Sequence, residues 1–292
     1  MRDYCIVTDS SANLPFSYLE QKEVLYFDVP YVVADVTYSD SNPLSIADFY
    51  AFLRAECTAY STTPSTKSIE EFFRKIIREK DQDILAITLS SRLGSINSVM
   101  NTAAQNVLQE YPDYRITIID SLSASLGEGL LVDMAAHFKQ VGFLYNENIS
   151  WLEKIKHHVI HSFTADDLNS LYRSNRISKP AAILGTLANI KLLLRLDPDG
   201  SISASKPVSS RKRAMEAIVD SIAPRIEHSN FAKNNSTIYI SHGDCEADAV
   251  ELSKMITARY GYTDFLILPI SPTLGCYTGP GTLGVFYLGE YR

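Results

Sequence analysis

The sequence predicts an α/β protein of two domains, the first built on a doubly wound, mainly parallel sheet. In its first half, short apolar runs of strand length alternate with stretches of helical periodicity, which is the pattern of β-turn-α units. In its second half, two apolar runs flank a turn at residues 197–200, which indicates antiparallel pairing. A length of 292 residues with 46% apolar residues is enough for two medium domains.

The clearest β-turn-α unit lies at residues 83–108. Residues 84–89 form an apolar run typical of a buried parallel strand, and apolar side chains at three- and four-residue spacings predict a helix over residues 96–107. Other predicted elements of the first half are strands at residues 4–7, 24–36 (broken by Pro30) and 115–119, and helices capped by Ser45, capped by Ser68 with Glu71, and running on from Leu126.

The second domain is predicted to begin after a helix at residues 146–158, capped by Ser150 and its neighbours. This divides the chain into residues 1–158 and 159–292. We predict that the last apolar strand returns to the first sheet. The other expected elements are a strand and helix over 163–171, helices at 180–191, 211–222 and up to Met255, and strands at 192–196, 202–208, 236–241 and 265–270.

Three segments of the first half are rich in hydroxyl groups. Residues 8–15 and 90–95 follow predicted strands, and residues 60–68 and 90–95 precede predicted helices. Parallel strands place their carboxyl ends along one edge of a sheet, where ligands usually bind. A helix N-terminus there offers unpaired N–H groups to an anion, although simple capping by serine explains the same pattern. Asp9 in the first turn could cap, orient hydroxyls or act as a base.

The composition excludes several classes of protein. A net charge of −7 argues against nucleic acid binding, and no apolar segment approaches the ~20 residues of a membrane span. Nothing resembles a signal peptide, and the four cysteines are far apart without a Cys-x-x-Cys motif, which fits a reducing cytoplasm. His157, His158 and His161 have no further ligands at zinc spacing. We expect no metal and no cofactor.

One segment carries most of the positive charge. Residues 171–213 hold nine basic and two acidic residues, a net +7, so the remainder of the chain carries −14. Such a segment can be an interface for an acidic partner or an ordinary solvated face, and the sequence leaves both interpretations open.

Seven motifs in order carry a resemblance to the bacterial DegV family, and they span the chain from Asp9 to Gly284. The last is glycine-rich, with four glycines and a proline within residues 275–284, but it lacks the Gly-Lys-Ser/Thr of a nucleotide loop. The motifs are Thr8-Asp9-Ser10-Ser11, Ser61-Thr62-Thr63-Pro64-Ser65, Ser90-Ser91-Arg92-Leu93-Gly94-Ser95, Ile119-Asp120-Ser121, Asn175-Arg176-Ile177-Ser178, Gly185-Thr186-Leu187 with Ile190-Lys191, and Thr278-Gly279-Pro280-Gly281.

The resemblance implies a non-enzymatic, two-domain α/β protein that binds one long-chain fatty acid between its domains. It also implies a partner, a fatty acid kinase related to dihydroxyacetone kinases, which converts the presented acid to an acyl phosphate. By this resemblance, the carboxylate site would comprise Ser61, Thr62, Ser91, Gly94, Ser95, Tyr277 and Thr278, and the kinase would meet Arg173, Arg176, Lys191 and Arg211. Neutral donors at a helix N-terminus suit a buried carboxylate, because a lysine there would itself need desolvation.

The sequence departs from the family pattern at three places. Tyr277 stands where the family has a histidine, and a phenol offers a hydrogen bond but no cation at neutral pH. One hydroxyl of the Ser-Gly-Thr-Tyr motif has moved to Ser95, and Ser174-Asn175 replaces a Gly-Gly pair. These changes concern the geometry of the carboxylate site, and they predict a divergent member whose ligand or affinity differs.

Two other functions remain open on the sequence. The same scaffold could bind a different apolar carboxylate or amphiphile. Alternatively, the protein could be a hydrolase-type enzyme with Asp9 or His242 as a base beside a serine, although no Gly-x-Ser-x-Gly elbow is present.

Overall fold

The first half of the chain folds around a four-stranded parallel sheet. The structure is a computed structural model that describes residues 2–39, 41–166, 168–178, 190–226 and 237–290. The strand order in this sheet is β2-β1-β6-β7, and a small antiparallel sheet β4-β3-β5 lies apart from it. The strands are β1 (Tyr4–Asp9), β2 (Val24–Phe27), β3 (Tyr31–Val33), β4 (Val36–Tyr38), β5 (Ala59–Ser61), β6 (Asp83–Thr88) and β7 (Ile116–Asp120).

Helices follow these strands, as the alternating pattern predicts. They are α1 (Phe16–Gln21), α2 (Ile46–Arg54), α3 (Thr66–Lys80), α4 (Ile96–Glu110), α5 (Leu126–Gln140) and α6 (Tyr145–Ile155). The pairing of β1 with β2 and β6, and of β6 with β7, is parallel throughout. The carboxyl ends of these strands therefore share one edge of the sheet, as expected for βα units.

The second half forms a six-stranded mixed sheet with the order β10-β9-β8-β13-β11-β12. Only the β11–β12 pair is parallel among the described strands of this sheet. The strands are β8 (Val159–Thr164), β9 (Lys191–Leu196), β10 (Ile202–Val208), β11 (Thr237–His242), β12 (Asp264–Pro269) and β13 (Leu283–Leu288), and the helices are α7 (Asn169–Arg173), α8 (Arg211–Asp220), α9 (Ala223–Ile226), α10 (Glu246–Tyr260) and α11 (Pro272–Thr278). The two-domain α/β class is confirmed.

The final strand does not return to the first sheet, contrary to our prediction. β13 lies in the second sheet between β8 and β11 and pairs antiparallel with both. It is buried on both faces: Leu283 and Val285 share a core with α8 and α10, whereas Phe286 packs toward α5. An apolar run buried on both faces fits the centre of either sheet, so the sequence pattern could not identify the correct one.

Two helix caps also differ from the prediction. Ser65, rather than Ser68, caps α3, and its side chain accepts a hydrogen bond from the Ser68 N–H at 3.1 Å. Ser150 lies inside α6 and donates to the Asn146 carbonyl at 2.8 Å, which is the back-bonding that serine makes within helices. The predicted cap at Ser45 is confirmed. The predicted helix at 180–191 and the motif at 185–187 lie outside the described residues, except that Lys191 begins β9.

Helix α5 lies between the two sheets and joins them. Its apolar residues share one core with Ile6 and Leu85 of the first sheet and with Tyr239 and Phe286 of the second. Two glycines permit the close approach: a Cβ at Gly127 would lie 2.2 Å from Nε2 of His161, and one at Gly129 would lie 2.6 Å from the Ala12 carbonyl oxygen. In the part of the chain that the structure describes, no helix is long and apolar enough to cross a membrane.

We expect Gly127→Ala to lower the free energy of unfolding by about 1–3 kcal/mol, because the added methyl group overpacks the contact between α5 and His161. Chemical denaturation would measure the loss. A Gly127→Ala protein as stable as the original would mean that His161 moves away without loss.

Candidate functional site

A cavity of about 1120 Å³, including its mouth, lies between the two sheets. One wall comes from the carboxyl ends of β1 and β6 and from the turns that follow them, and the opposite wall comes from β8, β9, β11 and β13. Its middle is apolar, a lining typical of sites for small organic ligands. The apolar side chains are those of Val29, Leu89, Leu93, Ile96, Phe163, Leu171, Leu196, Ile202, Ile270, Leu274 and Phe286.

Hydroxyl groups from three distant segments meet at the more exposed end of this cavity, which we call the open end. Ser61 and Tyr277 share a hydrogen bond of 2.8 Å between their hydroxyl oxygens, and those of Thr63 and Ser95 lie 3.3 Å apart. Thr62, Gly94 and Thr278 also line the cavity. The structure therefore brings together six of the seven residues predicted for the carboxylate site.

The hydroxyls at the open end are not equally available to a ligand. Thr62 donates its proton to the Pro30 carbonyl oxygen at 2.8 Å, so its hydroxyl is engaged within the protein. The side chain of Ser95 makes no capping bond to α4 although it stands at the N-cap position. Ser95 therefore leaves the first N–H groups of α4, which lack intrahelical acceptors, without a side-chain cap. This arrangement suits an anion.

Ser91 does not reach the cavity. It is exposed, and its backbone N–H donates to the Asp120 carboxylate at 3.2 Å. It borders a second depression, whose lining also includes Ser95 and Arg176 of the cavity. Ser91 and Ser95 are four residues apart in a turn rather than in a helix, so their spacing did not reveal that only Ser95 also lines the cavity.

Arg176 lies at the open end of the cavity and not only on the outer face where we predicted a partner contact. Its guanidinium carbon stands 3.8 Å from the centre of the Tyr277 ring, and Nη2 donates to the Leu93 carbonyl at 2.6 Å. Burial lowers the pKa of Arg176, but a guanidinium remains charged in proteins. A cation is therefore present beside Tyr277, although Tyr277 itself supplies none.

The other three predicted partner residues lie on the surface or in ion pairs. Arg173 is exposed, and its guanidinium donates to the Ser170 hydroxyl at 3.2 Å. Lys191 pairs with Asp166 at 2.8 Å. Arg211 pairs with Asp248 at 2.9 Å and donates to the Gly281 carbonyl at 2.6 Å, which fixes the glycine-rich turn.

A second group of polar side chains lines the cavity at its buried end, which we call the closed end. The group consists of Asp9, Ser11, Ser125, His161 and Ser241. The sequence did not reveal it, because these residues come from four separate segments. Asp9 does cap the short turn after β1, with its side chain accepting from the Ser11 N–H at 2.9 Å. His242, the other candidate base, is buried, and it does not line this cavity.

The fold and the site define a class of protein: a two-domain α/β protein with a mostly apolar cavity between its sheets and a group of hydroxyls and one guanidinium at the cavity's open end. The chain belongs to the DegV family, whose model matches residues 4–290. It is 35% identical to a DegV domain-containing protein of Clostridium perfringens over 300 aligned positions, covering 100% of this chain and 99% of that protein. A DegV domain-containing protein of Lactococcus lactis is 29% identical, with 98% and 97% covered.

Solved structures of the family share the fold across the whole chain. A DegV family protein from Thermus thermophilus, described as fatty acid binding, superposes with a TM-score of 0.85 at 24% identity, covering 99% of this chain and 100% of that one. A stearic acid-binding protein from Eubacterium ventriosum gives a TM-score of 0.86 at 20% identity, with 99% of each chain covered. DegV from Bacillus subtilis, a fatty acid binding protein, gives 0.84 at 22% identity, with 99% and 100% covered.

Proposed function

We propose that this protein binds one long-chain fatty acid without transforming it, with the acyl chain in the cavity between the sheets. The observation that carries the proposal is the polarity of the cavity: its lining is mostly apolar, and its more exposed end holds hydroxyls, a helix N-terminus and one guanidinium. An amphiphilic acid matches that distribution, because its carboxylate requires hydrogen bonds and charge while its chain requires only apolar contact. The family relatives that bind fatty acids support the same assignment.

At the open end, we infer that Ser95 and the Ser61–Tyr277 pair donate to the carboxylate while Arg176 supplies the positive charge. Ser61 and Tyr277 together carry two hydroxyl protons, and one of these forms the hydrogen bond between them. The other proton remains for a ligand. Charge-assisted hydrogen bonds of this kind are stronger than those between neutral groups, so one guanidinium offsets the loss of a histidine at position 277.

We further propose that the protein presents its bound acid to a fatty acid kinase and has no catalytic site of its own. The carboxylate would lie at the open end of the cavity, where a second protein could reach it. Exposed Arg173 stands on the same side, since it borders a surface groove that also contains Tyr277. The test is the charge reversal Arg173→Glu, which we expect to reduce acyl phosphate formation by an added kinase while leaving fatty acid affinity unchanged. Equal turnover would remove Arg173 from the kinase interface.

The first experiment is native mass spectrometry of the protein purified from a bacterial host, with the ligand extracted and identified. A single long-chain fatty acid at near-unit stoichiometry is the expected result. An empty protein that also ignores added oleate and palmitate would overturn the proposal and leave a different amphiphile as the ligand of this scaffold.

Substitution of Tyr277 tests the geometry of the open end. We expect Tyr277→Phe to weaken fatty acid binding by about 0.5–1.5 kcal/mol, since it removes one hydrogen bond. It keeps the ring beneath Arg176. Tyr277→His is the matched variant, and we expect it to bind at least as tightly as the original protein. Calorimetric titration with oleate measures both. If both variants lose all binding, the phenol has a ligand of its own.

A further inference from the structure

The closed end of the cavity is polar, although the methyl end of an ordinary acyl chain needs no polar contact. Asp9 and Ser241 are each 1% exposed and His161 is 3% exposed, whereas Ser61 and Tyr277 at the open end are only partly buried. All of them line the same cavity. A ligand that fills the cavity would therefore place its distal part among buried hydrogen-bonding groups.

One carboxyl oxygen at the closed end lacks a partner. Oδ1 of Asp9 accepts from the backbone N–H of Ser11 at 2.9 Å and is also bonded to the Ser11 hydroxyl. Oδ2 of Asp9 is buried and has no hydrogen-bond partner of good geometry, and the backbone N–H of Leu89 is a further donor close to this carboxyl group. A buried acceptor without a donor is unfavourable by about 1–3 kcal/mol. This oxygen belongs to a residue that lines the cavity, so a ligand donor could satisfy it.

Glu128 shares the hydrogen-bonding of this cluster. The Ser11 hydroxyl oxygen lies 2.8 Å from Oε2 of Glu128 while it also contacts Asp9. A hydroxyl has one proton, so one of the two contacts requires a proton on a carboxyl group. Burial raises the pKa of both carboxyl groups, and that of Glu128 lies well above its ordinary value. We assign the shared proton to Glu128, which leaves the carboxylate of Asp9, a residue of the cavity lining, as the acceptor.

The two serine hydroxyls at the closed end can both donate and accept. The hydroxyl oxygens of Ser125 and Ser241 lie 3.3 Å apart, whereas Nε2 of His161 already accepts from the Ala124 N–H at 3.4 Å. A second carboxylate would be repelled by Asp9, and a methyl group would leave Oδ2 unsatisfied. A ligand hydroxyl fits both requirements, since it donates to Asp9 and accepts from a serine.

We propose that the closed end binds a hydroxyl group on the distal part of the ligand chain, so that the preferred ligands are hydroxylated long-chain fatty acids. This inference rests on the proposed function and specifies the class of acid. The open end holds the carboxylate, and Asp9, Ser125 and Ser241 hold the hydroxyl.

The test compares stearate with a series of stearates that carry one hydroxyl at successive positions in the distal half of the chain. Competition binding to the full-length protein, freed of lipid, gives each affinity. We expect one or two neighbouring positional isomers to bind about tenfold more tightly than stearate, the effect of one hydrogen bond to a charged group. Isomers with the hydroxyl elsewhere should bind more weakly than stearate, because they bury an unpaired hydroxyl in the apolar middle.

Variants at the two ends separate the contributions. Asp9→Asn keeps an acceptor for Ser11 and replaces the acceptor at Oδ2 by a donor, and it should reduce the preference to within about threefold. The double variant Ser125→Ala/Ser241→Ala should do the same without altering the turn that Asp9 caps. Ser95→Ala is the matched control at the open end: it should weaken stearate and its hydroxylated isomers equally and leave their ratio unchanged. Thermal unfolding confirms that each variant folds.

Each outcome bears on a different claim. If stearate binds and no isomer binds more tightly than stearate, the inference is overturned, and a water molecule satisfies Asp9. A preferred isomer whose advantage survives both closed-end changes overturns it as well. If neither stearate nor any isomer binds, the fatty acid proposal itself fails. If a hydroxylated isomer binds and stearate does not, the result supports the closed-end site. The hydroxylated acid then replaces the plain fatty acid as the ligand.

Discussion

Replacing Arg176 by glutamine is expected to weaken fatty acid binding by about 1.5–3 kcal/mol, or roughly tenfold to a hundredfold, because it removes the cation from the open end. The guanidinium lies over the Tyr277 ring and is held by the Leu93 carbonyl, so its position is fixed before the ligand arrives. Glutamine retains donors and much of the length, and the change therefore isolates charge from shape. Calorimetric titration of oleate at low and moderate salt measures the effect.

Two comparisons make the Arg176 result decisive. Arg92→Gln is the control, since Arg92 is exposed and pairs with Asp199 outside the cavity; it should leave affinity unchanged. The neutral methyl ester of oleic acid is the ligand control, because it should bind the original protein and the Arg176→Gln variant equally. If oleate binds both proteins alike, Arg176 contributes to packing and to a partner surface, and the carboxylate is held by neutral donors alone.

The repeating β-turn-α units were predictable because each element carries its own periodicity and its own polar turn. The position of Ser95 at the carboxyl edge of the parallel sheet also followed from sequence, since parallel strands fix where their following turns lie. The meeting of Ser61 with it did not follow in this way, because Ser61 ends β5 of the small antiparallel sheet. Tyr277 joined them only through the family resemblance. Its helix α11 follows the second sheet, and no local pattern links residue 277 to residue 61.

The direction in which an individual side chain points could not be predicted from the sequence. Arg176 belongs to one of the seven motifs. Whether its guanidinium points toward the cavity or toward solvent depends on the group that packs against it, which is the ring of Tyr277. The closed end was missed for a related reason. The role of Asp9 as a cap of its turn is correct. That role accounts for one carboxyl oxygen and gave no reason to examine the other. His161 looked like one of a cluster of histidines, whereas it lies on the inner face of β8 against α5.

The space available to the acyl chain can be tested by filling it. Ala124 precedes α5, lines the cavity and is partly buried by apolar neighbours. We expect Ala124→Phe to abolish tight binding, since a ring in the cavity displaces several methylene groups. At about 0.8 kcal/mol for each buried CH₂, the loss of four amounts to roughly 3 kcal/mol, more than a hundredfold in affinity.

Stability separates this blocking from misfolding. A phenyl ring that occupies empty space gains apolar contacts, so the ligand-free Ala124→Phe protein should unfold at the same temperature as the ligand-free original protein or higher. Ala124→Ser changes the residue without filling the cavity and should keep affinity within about threefold. Unchanged binding by a stable Ala124→Phe protein would place the acyl chain elsewhere. Because Ala124 adjoins Ser125 and its N–H donates to His161 at the closed end, a ring at this position would crowd the closed end. Ala124→Phe should therefore also remove any advantage of a distal hydroxyl, whereas Arg176→Gln should weaken all acids and preserve that advantage. The two substitutions thus distinguish the part of the affinity that comes from the carboxylate from the part that comes from the chain.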